Sequence, residues 1–255
     1  MLITKQELTK KQATLKSVIK DEGEMALNAS EKYGVHFIHA AESNLLLYEF
    51  LLKSHSSQAD IALMFLSQVK SHHTLALLSC VRRHRVQTIM NLRQVQESGI
   101  AVAYRILHEN NDKFYTIDSE GVIIIAASFK KKTINWIKSY DTNFASVLHD
   151  IKKSFNDSTH VNLFNTIQNS KINTEDKLFE SQFFDYEDEY AIKIELFEIA
   201  NLAIVLLQLF YKVCNEGSIF TVIDDFSMRL KTLEKDHGVI KNILKRDPRY
   251  LEFHK

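Results

Sequence analysis

The chain has one proline, six glycines and two cysteines in 255 residues, and each shortage excludes something. Tight turns draw on proline and glycine, so a sheet-rich fold with many turns is excluded and long helices joined by short connections remain. Cys80 and Cys214 are too few for a disulfide framework, and no Cys-x-x-Cys pair occurs. Both read as buried, inert thiols in a reducing compartment. No glycine-rich phosphate loop and no Gly-x-Ser-x-Gly element is present, which removes nucleotide-loop and α/β-hydrolase chemistry. Charge of one sign is lacking too: 32 Lys and Arg balance 32 Asp and Glu, so no global field draws the chain to nucleic acid or to an anionic membrane.

At 45% hydrophobic and 25% charged residues, the chain can bury a full core. The expectation is an all-α, multi-helix bundle forming a single domain over 1–255, with N-terminal helices over 3–108 and a second helical half over 129–255. Its axis is a long central helix over about 71–108, packed against a buried helix over about 188–214. Phe114–Ile117, the turn residues 118–121 and Val122–Ile125 suggest either a small β-hairpin near 113–126 or a loop followed by a short helix, and the polar stretch 168–182 reads as a surface loop. The N-terminal helix, 3–20, is charged and modestly amphipathic. The next, 24–54, bends near Gly34 and is apolar almost all round after Leu45, with Glu49 and Lys53 at pairing distance on one face. Met1–Lys20 has no continuous apolar run and no small-residue cleavage site, so a cytoplasmic location is expected. Leu196–Val213 carries Glu198, Asn201 and Gln208 and reads as a buried helix, leaving no membrane partner.

Turned at 100° per residue, the central stretch places Leu75, Leu78, Val81, Val86, Ile89, Leu92, Ile100, Ala103, Tyr104 and Leu107 on an apolar arc. Arg83, Gln87, Asn91, Gln94, Ser98 and Arg105 form the opposite, solvent stripe. Arg82, Arg85, Arg93, Gln96 and Glu97 therefore lie on the wrong side. Burying an unpaired guanidinium costs several kcal/mol, so these residues either form an ion-pair network or line a cleft for an anion. Arg93 and Glu97 are spaced to meet. Glu42, Glu49 and Glu195 are candidate counter-charges, and Gly99 on the same arc lets another helix come close. The binding candidates are Arg82, Arg85, Arg93, Glu97, Tyr104 and Glu195.

Catalytic candidates are few. His149, Asn156 and His160 fall on one flank of a helix over 142–168, where histidine could move protons near neutral pH and asparagine could orient it. His36, His39 and Glu42 have metal-ligand chemistry but drift around their helix. Glu234 to His237 is the one Glu-x-x-His element where a di-iron bundle needs two. No metal and no cofactor is expected. Lys130-Lys131-Lys132 reads as a solvated surface.

Three stretches carry a resemblance: Arg82-x10-Arg93-x3-Glu97-x6-Tyr104, Ser158-Thr-His160-Val-Asn162, and Phe183-Phe-Asp-Tyr-Glu-Asp-Glu189. Over roughly 70–214 the chain resembles an uncharacterised family of bacterial all-helical proteins. More distantly it is similar to the higher eukaryotes and prokaryotes nucleotide-binding (HEPN) helical superfamily, whose toxin members are metal-independent ribonucleases with an Arg-x4-6-His motif. That resemblance implies RNA as a partner, His160 as acid or base, and Arg82, Arg85 or Arg93 on the phosphate. His160 lacks an arginine at the motif's distance and has Lys152 and Lys153 instead, with seven and six residues between. The literal match, Arg249 to His254, is of a kind that 8 Arg and 11 His produce about once by chance. The functional expectation is a binding or regulatory module, as a homo-oligomer or with an anionic ligand, with an RNA-cleaving or defence-type enzyme as the alternative.

Overall fold

The computed structural model describes residues 5–54, 59–108, 115–126, 128–159, 170–173, 178–181, 183–217 and 219–253. They form an all-α bundle with three two-stranded antiparallel sheets at its edges. The organising element is the long buried helix α8 (Glu189–Glu216). Its N-cap is Asp188, whose carboxylate accepts the Ala191 N–H at 3.1 Å, and Glu189 lies in the positive first turn. Leu196, Ile199, Leu202, Leu206, Leu209, Phe210 and Val213 are fully buried. A helix apolar on every side needs neighbours on every side. Four surround it: α3 (Val35–Glu49), α4 (Asp60–Val81), α5 (Arg85–Leu107) and α9 (Phe226–Lys245). Among the described residues α8 is also the one helix long and apolar enough to cross a membrane, with a mean hydropathy of 1.7 and 61% of that window buried in the bundle.

The N-terminal helix α1 (Lys5–Leu27) and the short α2 (Ala29–Tyr33) lead into α3 through Gly34, whose φ of 52° supplies the expected bend. The chain leaves the α3 helix at Phe50 and forms β1 (Leu51–Ser54), antiparallel to β6 (Phe220–Val222). This corrects the reading of a helix to residue 54. Lys53 sits in a strand, and Glu49 pairs instead with Arg229 of α9 at 2.7 Å. The expected hairpin is present as β2 (Tyr115–Ile117) and β3 (Ile123–Ile125). Its turn is closed by Asp118, whose carboxylate accepts the N–H groups of Glu120 and Val122 at 2.9 Å, while Gly121 takes φ 80°. Two amphipathic helices, α6 (Phe129–Tyr140) and α7 (Thr142–Thr159), pack on the outside of α5. Within the stretch expected to be a polar loop, β4 (Ser170–Asn173) and β5 (Leu178–Ser181) pair antiparallel. Pro248 opens the short α10 (Pro248–Phe253), where its missing N–H costs nothing.

The larger correction concerns the central helix. One helix over 71–108 is two antiparallel helices, α4 and α5, broken at residues 82–84 without proline or glycine. The break is a Schellman turn: His84 N–H donates to the Ser79 carbonyl at 2.9 Å and Arg83 N–H to the Cys80 carbonyl at 3.0 Å. Arg83 holds the left-handed position, φ 61°, which glycine normally takes. A break resets the helical phase, so one 100° wheel cannot serve both halves. Ser98 and Arg105, expected on the solvent stripe, are 5% and 4% exposed, while Leu75 and Val86, expected inside, are 43% and 40% exposed.

Candidate functional site

The first candidate is the arginine cluster at the α4–α5 turn. The segment 183–188, ahead of α8, clasps this turn. Asp185 N–H donates to the Arg83 carbonyl at 3.0 Å, and the Asp185 carboxylate accepts the Arg85 N–H at 2.6 Å, placing negative charge at the start of α5. Each arginine of the turn has a carboxylate from another element: Arg82 with Glu22 at 3.5 Å, Arg83 with Glu187 at 3.3 Å and Arg85 with Glu195 at 3.1 Å. Arg83 lies over the Phe184 ring, and His84 packs against Phe183 and Phe184 while meeting Glu22 at 2.7 Å. Burial raises the Glu195 carboxyl above the usual carboxylate range, opposed by Arg85 and reinforced by Asp185. The Cys80 thiol beside it is raised too, chiefly by burial, so it is no nucleophile. The space enclosed among Cys80, Arg83, Arg85, Asp185 and Glu195 is about 20 Å³, room on the order of one water. A phosphate enters only if Arg85 and Glu195 separate.

The left-handed arginine carries a prediction. Arg83→Gly relieves the backbone but loses the Glu187 and Phe184 contacts, two effects of about 1 kcal/mol each that nearly cancel. Arg83→Val loses the contacts and also places a β-branched residue at positive φ, so it should cost about 2 kcal/mol or more. Urea unfolding of the two variants checks this: equal midpoints for Gly and Val would show that the turn is not strained.

The remaining binding candidates lie along α5 and do not converge on the turn. Arg93 is half-buried and engaged in contacts of its own. Tyr104, 2% exposed, stacks on His108 with ring centroids 4.1 Å apart, meets Trp136 edge-on at 5.5 Å, and has Lys132 over its ring. It packs α5 against α6. Gln96 is buried and donates to the Leu148 carbonyl of α7. Glu97 pairs with Lys130 of α6 at 2.6 Å and Lys152 of α7 at 3.8 Å.

Around Glu97 opens a cavity of about 280 Å³ between α4, α5, α6 and α7. Phe65, Phe129, Ile137 and Leu148, each no more than 9% exposed, form its floor, with Phe65 and Phe129 stacked at 5.7 Å. Lys130, Lys138 and Lys152 line it, and Glu97 is the one acid among its lining residues. Of the catalytic candidates, His149 is exposed on its wall. His160 and the Asn156 side chain lie outside the described residues. The spacing Lys130, Ile134, Ile137, Lys138 on α6 and Ala145, Leu148, Lys152 on α7 places basic residues along the apolar stripe of each helix. Lys130, Lys131 and Lys132 are all exposed, as the sequence predicts, and Lys130 reaches Glu97 from that surface.

Comparison with protein families, with curated proteins and with solved structures finds no match. The site therefore rests on geometry.

Two buried polar groups lie apart from both sites. His73, fully buried on α4, donates from Nε2 to the Ile199 carbonyl of α8 at 3.1 Å. The Asn44 carboxamide lies 2.8 Å from its Nδ1. A neutral ring donating at Nε2 accepts at Nδ1, so the amide presents its NH2 there. Burial lowers the His73 pKa to about 4. His39 Nε2 meets His237 Nδ1 at 3.1 Å, joining α3 to α9, and His237 stacks on Phe197 at 4.0 Å. Burial lowers both, His237 to about 4. Glu234, the first residue of the Glu-x-x-His element, accepts from Gln208 at 2.7 Å. No group of three or more His, Cys, Asp or Glu among the described residues could hold a metal ion.

Proposed function

We propose that the chain is a cytoplasmic ligand-binding module that takes a small organic anion with an apolar body in the cleft between α5, α6 and α7. One observation carries this reading. In a chain with 32 basic and 32 acidic side chains, three lysines and a single carboxylate line an apolar cavity of about 280 Å³. That volume lies just below the range of small-molecule pockets, which starts at about 300 Å³. The lysines supply local attraction that the net charge does not. The turn arginines support phosphate or RNA binding less well, since each is already tied to a carboxylate.

The test is calorimetric titration of the wild type and of a Lys130→Met/Lys152→Met variant with octanoate, octyl phosphate and octylamine. The two anions should bind and the amine should not. The double variant should weaken anion binding about tenfold, as expected for two partly exposed charge contacts. Equal affinity for anion and amine, or no loss in the double variant, would sink the reading. Cleavage of an RNA pool that is lost in His149→Ala would replace it with the enzyme.

A further inference from the structure

We propose that Glu97 is an internal stand-in for the carboxylate of the ligand, and that the cleft takes a linear aliphatic monocarboxylate whose head group displaces Glu97 from Lys130 and Lys152. This rests on the ligand-binding reading above and adds to it a ligand class and a built-in competitor.

The head group is argued from what the lysines already hold. A single oxygen, Glu97 Oε1, lies 2.6 Å from Lys130 Nζ and 3.8 Å from Lys152 Nζ. Two ammonium groups from two different helices thus converge on one carboxylate oxygen at the wall of the cavity. The arrangement is exchangeable. The Glu97, Lys130 and Lys152 side chains are 27%, 57% and 31% exposed, so water screens the pairs and losing one internal carboxylate for another costs little. Glu97 can turn outward about its own side-chain torsions without moving α5.

The body of the ligand is argued from what the floor lacks. Three polar side chains of the lining are engaged within the protein: Gln96 donates to the Leu148 carbonyl, Ser98 to Gln68 at 3.1 Å, and Thr133 to the Lys130 carbonyl at 3.0 Å. The floor itself is four apolar side chains, Phe65, Phe129, Ile137 and Leu148, so the group that seats on it is apolar. The charge is held by lysine alone, suited to a point charge and lacking the fork that arginine offers phosphate.

The test is titration of the full chain with octanoate, octyl phosphate and 1-octanol, comparing wild type with Glu97→Gln. Octanoate should bind Glu97→Gln about fivefold more tightly, since the variant removes a competitor of ordinary surface-pair strength, while octanol affinity should not change. In the wild type the Glu97 carboxylate carbon signal should shift on saturation with octanoate and not with octanol, which keeps the test open if Glu97→Gln folds poorly. Unchanged or weaker octanoate binding by a folded Glu97→Gln, or a silent Glu97 carbon, overturns the stand-in; the ligand-binding reading then survives if Lys130→Met/Lys152→Met still loses affinity. Octyl phosphate binding tenfold tighter than octanoate overturns the ligand class. No binding of any anion overturns both.

Discussion

Acidifying the chain from pH 7.5 to 4 is expected to remove about 3 kcal/mol of stability through His73 alone. The ring is fully buried and neutral, with a pKa lowered from 6.5 to about 4 by loss of hydration. The unfolded chain binds a proton below 6.5 that the folded chain refuses until about 4. Stability from this group is therefore complete above pH 6.5, falls as pH drops toward 4 and is flat below, at about 1.4 kcal/mol per unit of difference. His39 and His237 act in the same direction, with a smaller share because His237 is only half-buried. Glu195 acts in the opposite direction. Its raised carboxyl keeps a proton that the unfolded chain has lost above about 4.5, so acidification toward 4.5 favours folding there.

The wild-type profile is consequently a sum, and the informative quantity is a difference. Urea midpoints of wild type and His73→Gln, measured at pH 7.5, 5.5 and 4, should converge as pH falls. The variant is less stable at pH 7.5, where it gives up the bonds to Asn44 and Ile199, and has no buried ring to protonate at pH 4. Parallel profiles for the two chains would rule out His73 as a source of acid sensitivity.

Gly99→Val is expected to be the most damaging small substitution in α5, costing on the order of 3 kcal/mol. A Cβ built on Gly99 would lie 2.6 and 2.8 Å from the two methyls of Leu206. Leu206 is at 0% exposure in the middle of α8, so its methyls have nowhere to swing. Gly99→Ala should cost less, because alanine is the better helix former by about 1 kcal/mol and offsets part of the clash. The control is Gly238→Ala on α9, where nothing lies within 4 Å of the added Cβ; it should raise stability by about 0.5–1 kcal/mol. Urea unfolding decides both, and Gly99→Ala/Leu206→Ala should be more stable than the two single losses predict. Additive losses would show that α5 and α8 do not meet at Gly99.

What the candidate site is made of was only partly visible in the chain. Glu97 stood out as a charge on an apolar arc, but its partners, Lys130 and Lys152, are 33 and 55 positions away in sequence numbering. No local spacing connects them. Glu195, by contrast, was legible as a counter-charge on the apolar face of its helix, and the fold selects Arg85 as its partner at 3.1 Å. His73 is one of two adjacent histidines, His72 and His73, and only the packing of α3, α4 and α8 buries one and not the other.

Properties that depend on neighbours along the chain were settled by the sequence. The scarcity of proline and glycine dictates long helices, the apolar surround of 188–214 dictates a helix at the centre, and Gly34 dictates a bend. Each follows from local backbone preference or from a helical period that a short window contains. The break at residues 82–84 was decided by the tertiary structure. Arginine is a good helix former and nothing in Val81 to Arg85 interrupts the helical pattern. A left-handed Arg83 persists because Asp185 bonds both sides of the turn, and Glu187 and Phe184 hold the side chain. A local conformation that costs 1 kcal/mol or more survives only where distant contacts overdetermine it, and those contacts exist only once the chain has folded.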